Sequence, residues 1–239
     1  MDTSPDGLYK ELADWTGEDV QLVRMLCQGA GAVLAKQWND FNEIMLSPVA
    51  NFYASTDFYL YDLTQYQTML RVNNIPVWLR NKIKEYGWKT ILDFGGGIGE
   101  WSIIAAQEGC NVTYVDVGDS YTMAYARWRF QMHDPELRIE IYHHNVAVTG
   151  HFDAIIAMDV LEHLEQEQAN QLIEQWTRQT DYLFANPEQI QYNFLYPQHI
   201  THYNLDPYWE KVEGYLYKVR PSPEELYAMR VPVLEGAEA

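Results

Sequence analysis

One apolar run ends in an acidic residue and a glycine-rich turn. Asp93 closes the run, and four of the six residues after it are glycine, among them Gly95, Gly97 and Gly99. Glycine permits a positive φ in a turn and lets a ligand approach the backbone without a Cβ in the way. Asp93 lies where a carboxylate can face a cationic group. The segment therefore predicts a binding turn for a small ligand that carries positive charge.

Two phosphate-binding loops fit this turn poorly. A dinucleotide fingerprint that starts at Gly95 needs a glycine at position 100, where the chain has Glu100. A P-loop needs Gly-Lys-Ser or Gly-Lys-Thr at its end, and the sequence has no such tripeptide there. Nucleotide phosphate is therefore a poor candidate ligand.

Strand-like and helix-like segments alternate around the turn. Apolar runs at 90–94, 111–117, 138–143, 152–158 and 182–186 predict strands, and amphipathic segments separate most of them. This alternation is typical of an α/β protein with a parallel sheet wound by crossover helices. Ligands in such sheets lie outside the carboxyl ends of the strands, which is where the glycine turn stands.

The chain divides into two predicted parts near residue 88. Residues 1–87 form a helical extension or lid, since residues 8–46 show helical spacing of apolar side chains. Residues 88–239 form the core, with a substrate-covering segment near 187–215 that is rich in Tyr, His and Pro.

A dense aromatic group lies in the predicted extension. It includes Tyr53, Tyr59 and Tyr61. One interpretation is packing between helices, and the other is a lid whose tyrosines bind the substrate.

The glycine turn resembles the first motif of class I methyltransferases that depend on S-adenosylmethionine (SAM). That motif is a strand ending in Asp or Glu and then x-Gly-x-Gly-x-Gly, and residues 93–99 match it. The resemblance extends over about residues 75–190. It implies a Rossmann-like fold, with a seven-stranded, mostly parallel sheet and helices on both faces, beside the N-terminal helical extension. It also implies SAM as cofactor, S-adenosylhomocysteine as product, and Asp93, Gly95, Gly97 and Gly99 as cofactor-binding residues.

The same resemblance assigns further cofactor contacts. Asp116 ends the second strand, where the family has an acid that binds both ribose hydroxyls, and a carboxylate can accept from both donors of a cis-diol. Asp119 is the alternative acid. Val117 would lie against the adenine, Asn145 near its amino group, and Met158 at the end of the fourth strand.

Three histidines are candidates for catalysis. A sulfonium methyl group is already activated, so the enzyme mainly aligns the acceptor and, for a hydroxyl, removes a proton. His163 follows the fourth strand and borders the expected site, while His199 and His202 follow the fifth strand. Each histidine could instead be structural or lie exposed in a loop.

Asp159, Glu162 and His163 have a spacing that gathers them on one side of a helical turn. The arrangement is similar to that of ubiquinone-pathway O-methyltransferases, which associate it with a divalent metal. Here the first acid is Asp rather than Glu, and similar sequences occur in relatives without metal, so the sequence-based expectation is that no metal is bound.

Composition limits the partners. The formal net charge is −18, which disfavours binding to a phosphate backbone, so we expect a small-molecule substrate rather than nucleic acid. No apolar stretch is long enough to span a bilayer, and the first residues lack the pattern of a secretory signal, so we expect a cytoplasmic protein. The predicted activity is methyl transfer to oxygen or nitrogen of a small organic acceptor with aromatic character. A protein methyltransferase and a non-catalytic SAM-binding protein are the alternatives.

Overall fold

The computed structural model describes residues 4–44, 49–186 and 196–221, and these ranges contain eight α-helices, one short 3₁₀ helix (Leu161–His163) and seven strands. The helices are α1 (Gly7–Thr16), α2 (Val20–Ile44), α3 (Val49–Ser55), α4 (Phe58–Val72), α5 (Ile75–Tyr86), α6 (Glu100–Gln107), α7 (Tyr121–His133) and α8 (Gln166–Trp176). The strands are β1 (Thr90–Phe94), β2 (Asn111–Asp116), β3 (Ile139–His143), β4 (Ala154–Ala157), β5 (Tyr182–Ala185), β6 (Trp209–Glu213) and β7 (Leu216–Val219).

The seven strands form one sheet in the order β3-β2-β1-β4-β5-β7-β6. The first five strands along the chain pair in parallel, and β7 pairs antiparallel with both β5 and β6. The chain order reverses direction at β1, so β1 and β4 flank a topological switch point where α/β sheets bind ligands. The mostly parallel Rossmann-like sheet expected from the sequence is confirmed.

Helices cover both faces of the sheet because successive strand residues point to opposite sides. Ile91 packs with α5 and α6, whereas the next residue, Leu92, packs with α8. The predicted helices on both faces are therefore confirmed. Residues 187–195 of the predicted substrate-covering segment lie outside the described residues. Residues 209–213 of that segment form the edge strand β6.

No helix in the described ranges combines the length and the apolar character needed to cross a membrane.

A buried ion cluster joins the helical extension to the glycine turn. Glu100, the first residue of α6, accepts hydrogen bonds from Arg71 of α4 (Nε to Oε1, 2.7 Å) and Arg129 of α7 (Nη2 to Oε2, 2.8 Å). Arg129 also donates to the backbone oxygen of Ile98 at 2.6 Å and to Glu11 of α1 at 2.8 Å. Glu100 and Arg129 are 1% and 0% exposed. Burial alone would raise the pKa of Glu100, but the guanidinium groups of Arg129 and Arg71 outweigh it and lower that pKa.

We expect Glu100→Gln to destabilise the protein by about 3–5 kcal/mol, because it removes the buried charge that Arg71 and Arg129 share and leaves Arg129 with Glu11 as its remaining acid. Urea unfolding of the variant and the wild type measures this difference. Glu174→Gln is the matched control, since Glu174 pairs with Arg178 on the exposed side of α8. An equal, small effect of both substitutions would show that the buried cluster does not hold the extension in place.

Candidate active site

The glycine turn connects β1 to α6 in a shape that two glycines make possible. Gly95 and Gly99 have φ of 67° and 74°, in the left-handed region. A Cβ on Gly95 would lie 2.3 Å from Cγ2 of Val160, and a Cβ on Gly99 would lie 2.3 Å from Cε1 of Phe130. The turn thus lies close against β4 and α7, and side chains at these positions would force it away.

Asp93 lies beneath the turn. Its carboxylate accepts a hydrogen bond from Ser102 Oγ at 2.6 Å, and the side chain is 1% exposed. Burial raises the pKa of Asp93 to about 7. A Cβ on Gly96 would lie 2.8 Å from Asp93 Oδ2, so the carboxylate supports the underside of the loop.

Asp116 lies at the carboxyl end of β2 and accepts two backbone hydrogen bonds. Its Oδ2 is 2.5 Å from Gly97 N, and its Oδ1 is 2.6 Å from Val117 N. Burial raises the pKa of Asp116 to about 6. Each carboxylate oxygen can accept more than one hydrogen bond, so both can still receive a ligand hydroxyl.

A cavity of about 860 Å³ opens beside the glycine turn. Sheet residues form one side of it and helices of the N-terminal extension form the other. Its lining includes Tyr53, Tyr59, Gly95, Asp116, Asp159 and His163. This volume lies within the roughly 300–1,000 Å³ typical of small-molecule sites.

His163 connects this cavity to the extension. Its Nδ1 is 2.7 Å from the hydroxyl of Tyr53 and 3.2 Å from the backbone oxygen of Gln198. The His163 and His199 rings meet edge to face, with centroids 4.7 Å apart. Burial, and then the His199 ring, lowers the pKa of His163 to about 3, so the imidazole is neutral at physiological pH.

Two acids, the partly buried Asp159 and the buried Glu162, lie in the segment just before His163. Asp159 follows β4 with φ of 53°, and its Oδ1 accepts from Asn186 at 3.0 Å. Burial raises the pKa of Asp159 to about 6. Burial, and then the charge of Asp159, raise the pKa of Glu162 well above its usual range. Asp116 and Asp159 line the cavity, and their carboxyl groups suit a ligand with positive charge.

The structure brings many of the predicted residues together. Those that line the cavity are Gly95, Asp116, Val117, Tyr53, Tyr59 and His163. Gly97 and Gly99 shape the turn itself, and His199 contacts the ring of His163.

Other predicted residues lie elsewhere. Met158 is in the core cluster that also contains Ile156, because the two residues share one face of the strand. Tyr61 packs against the cluster around α1, and His202 is exposed outside the lining of the cavity. Asn145 lines a second cavity of about 400 Å³.

Sequence reasoning missed several lining residues. Ser120, Thr122 and His144 line the main cavity, and His144 also borders the second one. The position of His144 directly after β3, one residue before Asn145, could have indicated it. The alternation of side chains along β4 could have indicated Asp159, because it turns Met158 towards the core and leaves the next residue at the edge of the sheet.

The comparisons with known proteins agree with this geometry. A family model described as a methyltransferase domain matches residues 91–181. No relative is found among curated proteins.

Two solved structures share the fold. An O-methyltransferase family protein from Burkholderia thailandensis has a TM-score of 0.54 and 16% identity, over 83% of this chain and 72% of its own. A candidate O-methyltransferase from Nostoc punctiforme has a TM-score of 0.53 and 13% identity, over 77% of this chain and 60% of its own. At such low sequence identities, the similarity to these two structures shows a shared fold and nothing about the reaction.

The strand order, the glycine turn and the family match define a class I methyltransferase that depends on SAM. Its methyltransferase domain includes residues 91–181, from β1 to the start of β5. The site fits SAM as cofactor, because the glycine turn leaves room at the backbone, Asp116 can accept hydroxyl donors, and acids face the cavity where a sulfonium or ammonium can lie.

We expect Asp116→Asn to weaken SAM binding roughly 10- to 150-fold, because an amide replaces a charged acceptor that holds the turn and the ribose. Calorimetric titration with SAM measures the loss. Asp119→Asn is the control, since Asp119 is exposed and outside the cavity lining. If Asp119→Asn gave the larger loss, the ribose assignment would move to that residue.

SAM affinity should also fall as the pH drops through about 6. The ionised Asp116 carboxylate accepts both hydroxyls, whereas the protonated form uses one oxygen as a donor. Because burial raises the pKa of Asp116, this change falls within the range between pH 5 and pH 7 accessible to titration. The Asp116→Asn variant should show a flatter profile, and identical profiles would refute the assignment.

Proposed function

We propose that the enzyme transfers the methyl group of SAM to an oxygen or nitrogen atom of a small organic acceptor with aromatic character. The observation that carries this proposal is the aromatic wall that Tyr53 and Tyr59 form opposite the glycine turn. The two rings lie 4.6 Å apart between centroids, at 52° to one another. Tilted aromatic rings of this kind present an apolar surface on which a flat acceptor can pack.

The position of the wall supports a role in acceptor binding. Tyr53 hydrogen-bonds to His163 on the floor of the cavity. Burial, and then the charge of Asp116, raise the pKa of Tyr59 well above its usual range. Both tyrosines line the same cavity as Asp116 and Asp159.

The size and covering of the cavity favour a small acceptor over a protein. Helices α3 and α4 cover the carboxyl ends of the strands, and Leu63 of α4 lies 3.0 Å from the position of a Cβ on Gly97. A folded protein substrate would need a wide groove at this edge. The names of the two fold neighbours, which both mention O-methyltransferases, are consistent with the proposed chemistry.

The residues of this chain would mainly position the acceptor. Bound SAM supplies a methyl group activated by its sulfonium. The aromatic wall orients the acceptor, and the buried acids favour the cationic side of the cofactor. His163 lines the cavity and can face the accepting atom, and His199 contacts the ring of His163.

A methyl-transfer screen tests the proposal. Purified protein is incubated with radiolabelled SAM and a panel of phenols, aliphatic alcohols, primary amines and unfolded peptides. Label in phenols or aromatic amines is the expected result. Label confined to peptides, or SAM binding without transfer to any acceptor, would refute the proposal in favour of a protein methyltransferase or a non-catalytic SAM-binding protein.

For the best acceptor in that screen, Tyr53→Leu should raise the KM of the acceptor more than that of SAM. The substitution removes the ring and its hydroxyl while it keeps an apolar side chain in place. Steady-state kinetics with each substrate varied in turn give both values. Tyr208→Leu is the control, because Tyr208 is 38% exposed and lies next to β6. An unchanged acceptor KM in Tyr53→Leu would contradict the role of the wall.

A further inference from the structure

Glu162 and His163, which are adjacent in the short turn after β4, form a cluster with His199 from the segment after β5. One ligand atom from each residue lies within 4.8 Å of the other two. Two ligand atoms about 2.1 Å from one ion are at most about 4.2 Å apart, so side-chain shifts of about half an ångström would bring all three onto a common ion.

The cluster includes a buried acid, Glu162, that lies beside a second acid, Asp159. Glu162 is 1% exposed, and its buried Oε2 has no hydrogen-bond partner. Oδ2 of Asp159, the neighbouring acid, is also buried and unpartnered. Within residues 4–44, 49–186 and 196–221, no Lys or Arg forms an ion pair with either acid. Two buried carboxylates without a counter-charge are costly, and a bound cation removes that cost.

The segment that carries His199 is fixed in place. Backbone N–H groups of Ile200 and Thr201 both donate to the backbone oxygen of Glu162, at 2.9 and 3.1 Å. The hydroxyl of Thr201 donates to the backbone oxygen of Leu164. Backbone contacts that do not depend on an ion thus hold the segment of His199 beside that of Glu162 and His163.

From these observations we propose that Glu162, His163 and His199 bind one divalent transition-metal ion. Two imidazoles and one carboxylate suit ions of the Mn²⁺ to Zn²⁺ series better than Ca²⁺, which prefers oxygen ligands. Nδ1 of His163 contacts Gln198 and Tyr53, so Nε2 is the nitrogen assigned to the ion. The backbone oxygen of Gln198 then accepts from Nδ1–H, as the outer partner of a metal-bound histidine usually does. This inference departs from the expectation of no metal drawn from the sequence.

The ion would also make the proposed reaction favour oxygen acceptors over nitrogen acceptors. Three protein ligands leave coordination positions open, and an oxygen of the acceptor can fill one of them. This step rests on the proposed function, whereas metal binding does not. It predicts that treatment with EDTA lowers the methylation of phenols more than that of aromatic amines.

Metal binding is tested first on protein without SAM. Protein stripped with EDTA is titrated with Mn²⁺, and electron paramagnetic resonance counts the bound ions while calorimetry gives the affinity. A parallel titration uses Zn²⁺. The wild type should bind one ion per chain. Glu162→Gln and His199→Ala should each lose more affinity than the roughly 10- to 100-fold that removal of an outer partner costs.

His151→Ala is the control, because His151 is exposed in the loop before β4. Circular dichroism checks that each variant folds. If Glu162→Gln does not fold, His199→Ala, at a partly exposed position, still tests the proposal. Absence of binding in the wild type, or equal binding in all variants, would overturn the proposal and indicate a shared proton between the acids. Titration of the stripped protein with SAM separates the two proposals: SAM binding without metal binding would overturn the metal site and leave the proposed function standing.

Discussion

The carboxylate of Glu100 joins the two parts of the molecule. It follows the glycine turn directly, and its oxygens meet guanidinium groups from α4 and α7 while Arg129 also holds the backbone of Ile98. A charge buried this deeply is tolerated only when its partners are in place. The cluster therefore links the end of the glycine turn to α4, the helix that carries Tyr59.

The chemistry of the site follows from the end of the sheet at which it lies. Parallel strands β2, β4 and β5 finish at one edge, and each contributes a polar residue there: Asp116, Asp159 and Asn186. The chain after β5 then returns across the same edge, because its backbone donates to Glu162. Neighbouring strand ends thus place cofactor groups and acceptor groups within one cavity.

The sequence predicted the features that depend on local pattern. The apolar run and the glycine turn identified β1, and the resemblance to the family pointed to Asp116 at the end of β2. Edge strand β6 was missed, since Glu210, Lys211 and Glu213 in it are exposed and its pairing with β7 is antiparallel. A short polar edge strand has no apolar alternation that distinguishes it from a loop.

Features that depend on contacts between distant segments could not be predicted. Glu100 counted only as a missing glycine until Arg71 and Arg129 were seen beside it. His199 and His202 looked equivalent in sequence, and only the backbone bonds of residues 200 and 201 to Glu162 turn the first towards His163. Tyr53 lines the cavity and Tyr61 does not, because their helices pack against different parts of the protein. The residues that flank each tyrosine in the sequence do not show this difference.

The acids at the edge of the sheet also affect the exchange of cofactor for product. SAM carries one net positive charge near neutral pH, and S-adenosylhomocysteine, which has lost the sulfonium charge, carries none. A cavity lined by Asp116 and Asp159 attracts the former more than the latter. Transfer of the methyl group thus weakens the binding of the cofactor product. The same acids that attract SAM therefore favour release of S-adenosylhomocysteine and limit product inhibition. The effect is larger at low ionic strength, where charges are screened less.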